Sequence, residues 1–96
     1  MSQFPYLILQ DYTEVTHSEI LKEDGTEKVR VYFSRMRDEA LYDTAVCELP
    51  SYTWLQNEGF SPDDIRSFAM LLHKNQADIF DCARKGKEDF FSLVKE

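Results

Sequence analysis

The chain has 96 residues and a formal net charge of −7, from 18 Asp and Glu against 11 Lys and Arg. That length sets one domain with one core, since roughly 100 to 150 residues is the commonest domain size. A hydrophobic fraction of 43 %, with seven Phe, five Tyr and one Trp, separates it from disordered chains, while the acidic balance disfavours direct contact with nucleic-acid phosphates or anionic lipid headgroups.

The first ten residues, MSQFPYLILQ, carry no basic region, and the apolar run Tyr6 to Leu9 is too short for a signal-peptide core or a membrane span. The expectation is a cytoplasmic protein with no membrane association. Cys47 and Cys82 make no metal-binding spacing and are expected as reduced thiols. Tyr6 to Tyr12 is expected either to add an edge strand or to fold across a sheet face, with Pro5 limiting its extent.

The hydrophobic period changes near residue 50: strands are expected over 1–49 and helices over 50–96. In KEDGTEK, Asp24-Gly25 is a favoured pair for a two-residue type I′ hairpin turn. Partners whose numbers sum to 49 then set Lys22 opposite Glu27, Glu19 opposite Arg30 and Glu14 opposite Arg35, all of opposite charge. A one-residue slip would turn every side chain to the other face.

The next turn is expected at Asp38-Glu39-Ala40, a three-residue loop that sets Arg35 opposite Asp43 and Arg30 opposite Glu48. Val29, Val31 and Phe33 then pair with Ala45, Cys47 and Leu49 on a core face that Ile20 extends. The opposite face would carry Val15, His17, Leu21, Tyr32, Met36, Tyr42 and Val46.

Past Pro50, Ser51 to Asn57 is expected as a short helix stopped at Asn57-Glu58-Gly59. FSPDDI has the parts of a helix start: Ser61 as N-cap, Pro62 in the first helical position, and Asp63 and Asp64 where carboxylates complement the helix dipole. Gly86, after Arg84 and Lys85, marks the other end, and a final short helix is expected from Lys87 to Val94 with Phe90, Leu93 and Val94 turned inward. The architecture expected is therefore α+β: an antiparallel meander of three or four strands, packed on one face by a long helix, with short flanking helices.

Within the long helix, HKNQAD interrupts an apolar stretch from Ile65 to Ala83. At about 100° per residue, Ile65, Phe68, Ala69, Leu72, Ile79, Phe80 and Ala83 share one stripe with Gln76 in its middle, His73 at its edge, and Lys74 and Asp78 pointing away. An acid–base site on His73 needs a carboxylate three or four residues off, but positions 69, 70, 76 and 77 are Ala, Met, Gln and Ala. A boundary His and a hydrogen-bonded Gln76 at the helix–sheet interface is the expectation.

His17 and Glu19 supply two potential metal ligands where three or four are needed. Asp78 and Asp81 read as a solvated face, Cys47 as an inert core thiol. There is no phosphate-cradling Gly-rich loop and no G-x-S-x-G. A helix-turn-helix from Ser51 onward is refused by Asp63 and Asp64, which would face DNA, and Arg84, Lys85 and Lys87 read as a helix C-terminal cap.

Surface residues remain: Met70 and Leu71 off the helix stripe, and Tyr32, Met36 and Tyr42 on the second sheet face, of types enriched at interfaces. These five are the candidate partner-binding residues of a non-enzymatic protein that acts by binding another protein or a second copy of itself. No cofactor, metal or small-molecule substrate is indicated. Two alternatives are an acidic inhibitor, such as a phage or mobile-element product, that presents carboxylates to a basic nucleic-acid-binding groove, and a small enzyme or metal protein using His17 or His73.

Overall fold

The computed structural model describes residues 3–85. Six strands, β1 (Phe4–Ile8), β2 (Glu14–His17), β3 (Leu21–Glu23), β4 (Thr26–Asp38), β5 (Leu41–Leu49) and β6 (Thr53–Glu58), precede one helix, α1 (Pro62–Lys85). The pairings are antiparallel in the order β1-β2-β4-β5-β6, with β3 beside the start of β4. The fold is α+β as expected, but the sheet has more strands than the meander foresaw, and no short flanking helix occurs among the described residues. The helix expected over Lys87 to Val94 lies outside them.

The Asp24-Gly25 turn forms as read. Both residues have positive φ, 52° and 78°, as a type I′ turn requires, and Leu21↔Lys28, Lys22↔Glu27 and Glu23↔Thr26 keep the expected register. That register ends at Ser18. The Ser18 N–H donates to the Arg30 carbonyl at 2.9 Å and Ser18 Oγ accepts the Arg30 N–H at 3.0 Å. Ser18 thereby occupies the place expected for Glu19, and one extra residue bulges out before β3.

Beyond the bulge, the pairing of β2 with β4 is displaced by one: Glu14↔Ser34, Val15↔Phe33, Thr16↔Tyr32, His17↔Val31. Glu14 does not meet Arg35, and Val15 and His17, expected on the second face, are buried in the core. A serine hydroxyl that substitutes for a backbone acceptor is the physical reason.

The β4–β5 register agrees with expectation from Val29↔Leu49 to Met36↔Tyr42, including Arg35↔Asp43 and Arg30↔Glu48. A bulge at Arg37 then lets Asp38 pair with Leu41, so the loop is Glu39-Ala40 rather than three residues. The segment expected as a helix before Gly59 is strand β6: Tyr52 at φ 59° turns the chain back and Thr53 to Glu58 pairs with β5.

The helix start matches its sequence. Ser61 Oγ accepts the Asp64 N–H at 3.1 Å while Asp64 Oδ2 accepts the Ser61 N–H at 3.2 Å, a reciprocal cap. Phe68, Leu72, Ile79, Phe80 and Ala83 of α1 pack with Val15, Val29, Val31, Phe33, Ala45, Cys47 and Leu49 of the sheet. The Phe33 and Phe68 rings stack at 4.2 Å and Phe60 meets Phe68 edge-on at 5.0 Å. Each such side chain contributes about 1.5 to 3 kcal/mol by burial. The helix covers only this face of the sheet.

Candidate protein-binding surface

The polar run HKNQAD fastens the helix to the sheet. Tyr52, from the turn before β6, donates its hydroxyl to Gln76 Oε1 at 2.6 Å and lays its ring flat on His73 with centroids 4.0 Å apart. Tyr6 of β1 donates to Asp78 Oδ2 at 2.6 Å, and Asn75 Nδ2 donates to the Leu71 carbonyl within the helix. Gln76 is hydrogen-bonded at the interface as expected, and burial raises the Tyr52 phenol pKa, keeping it a neutral donor.

The other candidate chemistries are placed as follows. His17 is 2 % exposed, its Nδ1 lies 2.8 Å from the Ser18 carbonyl, and Phe4 and Tyr6 pack their rings around it. Among the described residues no three His, Cys, Asp or Glu are grouped to hold a metal ion. Burial pushes the Cys47 thiol up to about 12, so it stays protonated and un-nucleophilic at neutral pH. No described helix is long and apolar enough to cross a membrane.

A charged cluster closes one end of the core. Asp43, 2 % exposed, accepts from Arg35 Nη2 at 2.9 Å and Nε at 3.3 Å. Arg35 also reaches Asp11 at 3.1 Å and Asp64 at 3.7 Å, and its guanidinium lies over the Phe60 ring at 4.8 Å. Arg37 Nε stands 3.3 Å from Asp43 Oδ1 without hydrogen-bond alignment. Hydrogen bonding by Thr13, then by Arg35, lowers the pKa of Asp11. The cluster is paired internally, Asp43 Oδ1 being its one buried oxygen without a hydrogen bond among the described residues, and it joins β4, β5, the β1–β2 loop and the start of α1.

Among the described residues, no element covers the face of the sheet away from α1, here called the open face. Across it run Thr16, Tyr32, Val46 and Gln56 in one row and Glu14, Ser34, Thr44 and Glu58 in the next, with the Met36–Tyr42 pair beyond. Tyr32 is half-buried, whereas Met36 and Tyr42 are 60 % and 52 % exposed. Ser34 and Thr44 separate Tyr32 from Met36 and Tyr42, so the apolar surface is not the contiguous patch that the strand pattern suggests. The N-terminal segment does not cover it: β1 lies beside β2 as the edge strand.

A further contributor, which the sequence pattern did not indicate, is Tyr12. The β1–β2 connection closes through Tyr12 N–H to the Leu9 carbonyl and Leu9 N–H to the Thr13 carbonyl, both 2.9 Å. Tyr12 takes φ 67° there and is 82 % exposed. This is the left-handed position of a bulged hairpin turn, where Gly or Asn is usual, so turn chemistry gave no reason to expect a tyrosine. Tyr12, Met36 and Tyr42, with Asp11, Glu14 and Ser34, line a groove of about 390 Å³.

Met70 and Leu71 lie on the helix, on the side of the sheet opposite this groove; Met70 is 68 % exposed and Leu71 packs partly against the core. The five candidate residues therefore belong to two separate surfaces. The grooved end of the molecule also concentrates charge. The register and the helix start bring Asp11, Glu14, Asp38, Glu39, Asp43, Glu58, Asp63 and Asp64 to it, against Arg35, Arg37 and Arg66. Eight carboxylates against three guanidiniums leave most of the chain's −7 there. Compared with protein-family models, with curated proteins and with solved structures, the chain shows no significant match.

Proposed function

We propose that this protein acts by binding another protein through the open sheet face, chiefly through the end that holds Met36 and Tyr42. The observation that carries this reading is their exposure, 60 % and 52 %, beside Tyr12 at 82 % and Leu41 at 52 %. Large apolar side chains gathered at one end of a sheet face that no described element covers are what an interface uses and what a lone domain rarely leaves in water. A second copy fits this end poorly, because a face-to-face dimer would bring the open-face carboxylates Glu14 and Glu58 of both copies together.

The test is affinity capture from the native host at low and high salt, using wild type and a Met36→Ser/Tyr42→Ser variant. The expected outcome is a partner captured by wild type and lost by a variant whose melting temperature is unchanged. Capture that survives this variant but fails with Met70→Ser would move the interface to the helix and reject the sheet face.

A further inference from the structure

We infer that the groove between Tyr12, Met36 and Tyr42 receives the cationic side chain of an arginine or lysine on a basic partner chain. The inference rests on the proposed use of the open face and adds the chemistry of the occupant.

Two aromatic rings and a thioether make a polarisable wall, and aromatic faces attract guanidinium and ammonium groups most when water is partly excluded. Asp11 and Glu14 stand at the rim of the same groove. Asp11 is already engaged by Arg35 at 3.1 Å, whereas Glu14, exposed on the open face, has no ion pair among the described residues. Glu14 is thus the carboxylate that remains to pair with an incoming cation.

The surroundings select for positive charge at longer range. Eight acidic residues against three arginines mark this end, and such a field raises the encounter rate of a basic chain. Ser34 and Thr44, with Glu58 beyond them, continue from Glu14 across the strands. At about 4.8 Å between strands, the two glutamates that flank this hydroxyl row are roughly 14 Å apart. An extended basic segment crossing the strands would meet a carboxylate at each end and the Ser34 and Thr44 hydroxyls between, sharing Thr44 and Glu58 with the Gln56 amide that donates to both.

Tyr12 supplies an independent argument. A tyrosine held at φ 67° with its side chain 82 % exposed carries backbone strain and is absent from the core formed by the described residues. That core gains nothing from the ring at that position, whereas a cation-binding groove gains a wall.

The probe is a hexapeptide of alternating arginine and glycine, titrated against the full chain with the Met36 methyl and the tyrosine rings observed by NMR. A citrulline peptide, neutral and of the same shape, is the control. Expected are shifts centred on Met36, Tyr12 and Tyr42, saturating with the arginine peptide alone and weakening at high salt. Tyr12→Gly should weaken binding about fivefold or more, the loss of one cation–π contact, while its melting temperature stays at or above wild type because glycine tolerates the turn. Glu14→Gln should weaken binding by a similar factor.

Equal binding of the citrulline peptide, shifts spread over the whole acidic surface, or indifference to Tyr12→Gly and Glu14→Gln would each overturn the inference. So would a concentration-dependent dimer in sedimentation that buries Met36. If Met36→Ser/Tyr42→Ser loses a captured partner while the arginine peptide leaves the groove unmoved, the cationic occupant fails and the protein-binding face stands. The reverse pattern leaves the cation site and rejects the proposed function.

Discussion

The Asp43 carboxylate rests directly on the backbone of Gly59, so that a Cβ at that position would overlap Asp43 Oδ1. Gly59 also has φ 105°, a conformation that side chains with a Cβ rarely adopt. Gly59→Ala should therefore cost about 2 to 5 kcal/mol, from backbone strain and displacement of a buried carboxylate together. Denaturant unfolding followed by circular dichroism measures it, and a loss below half that range would show that Asp43 moves aside freely.

Gly25 is a contrasting case, because a Cβ there has nothing within 4 Å and only its φ of 78° is restrictive. Gly25→Val should cost about 1 to 2 kcal/mol and Gly25→Asn much less, since Asn tolerates the left-handed region. Equal melting temperatures for both variants and wild type would reject the type I′ turn.

Removing Arg35 leaves a carboxylate that is 2 % exposed with only the poorly aligned Arg37 beside it. Arg35→Met should destabilise by about 3 to 5 kcal/mol, and Arg35→Met/Asp43→Leu should recover much of the loss, because an apolar pair no longer strands a charge. A double-mutant cycle in urea decides this. Additive losses would mean the two side chains do not act as a pair.

These residues show what the sequence exposed and what it hid. The Asp24-Gly25 turn, the Ser61 cap and the Arg35–Asp43 pair were legible because each depends on a few adjacent residues or on one register. Strand β6 was not legible: Thr53 to Glu58 has no strong local preference, and pairing with β5 makes it a strand. The slip at Ser18 was hidden because a hydroxyl reaching a neighbouring backbone has no periodic signature. That single contact moved Val15 and His17 from the expected open face into the core. Of the candidate site, Met36 and Tyr42 were legible from strand alternation, whereas Tyr12 sits in a turn where its residue type is unexpected.

Stability should also fall in alkaline solution because of Cys47. Its folded pKa is pushed to about 12 from an ordinary value of 9.0 by burial, so the folded state disfavours the thiolate relative to the unfolded state. The contribution is fully present below pH 9.0 and is lost as pH rises toward about 12. Cys47→Ala should flatten this part of the pH–stability curve, and iodoacetamide should modify Cys47 in native protein only at the rate of unfolding. Rapid labelling at neutral pH would contradict the burial.

Two tyrosine hydroxyls reach the same turn of α1 from opposite margins of the sheet, Tyr6 to Asp78 and Tyr52 to Gln76. The helix thus works as a crossbar lashed to both rims of a plate that twists as β-sheets do. Changing the twist must stretch one lashing or the other, so the shape presented on the open side is held from behind. The His73 ring, lying on Tyr52 at 4.0 Å, becomes a remote gauge of that twist. An occupant of the open side that bends the strands should shift the His73 proton resonances without touching them, and Tyr52→Leu should silence the gauge.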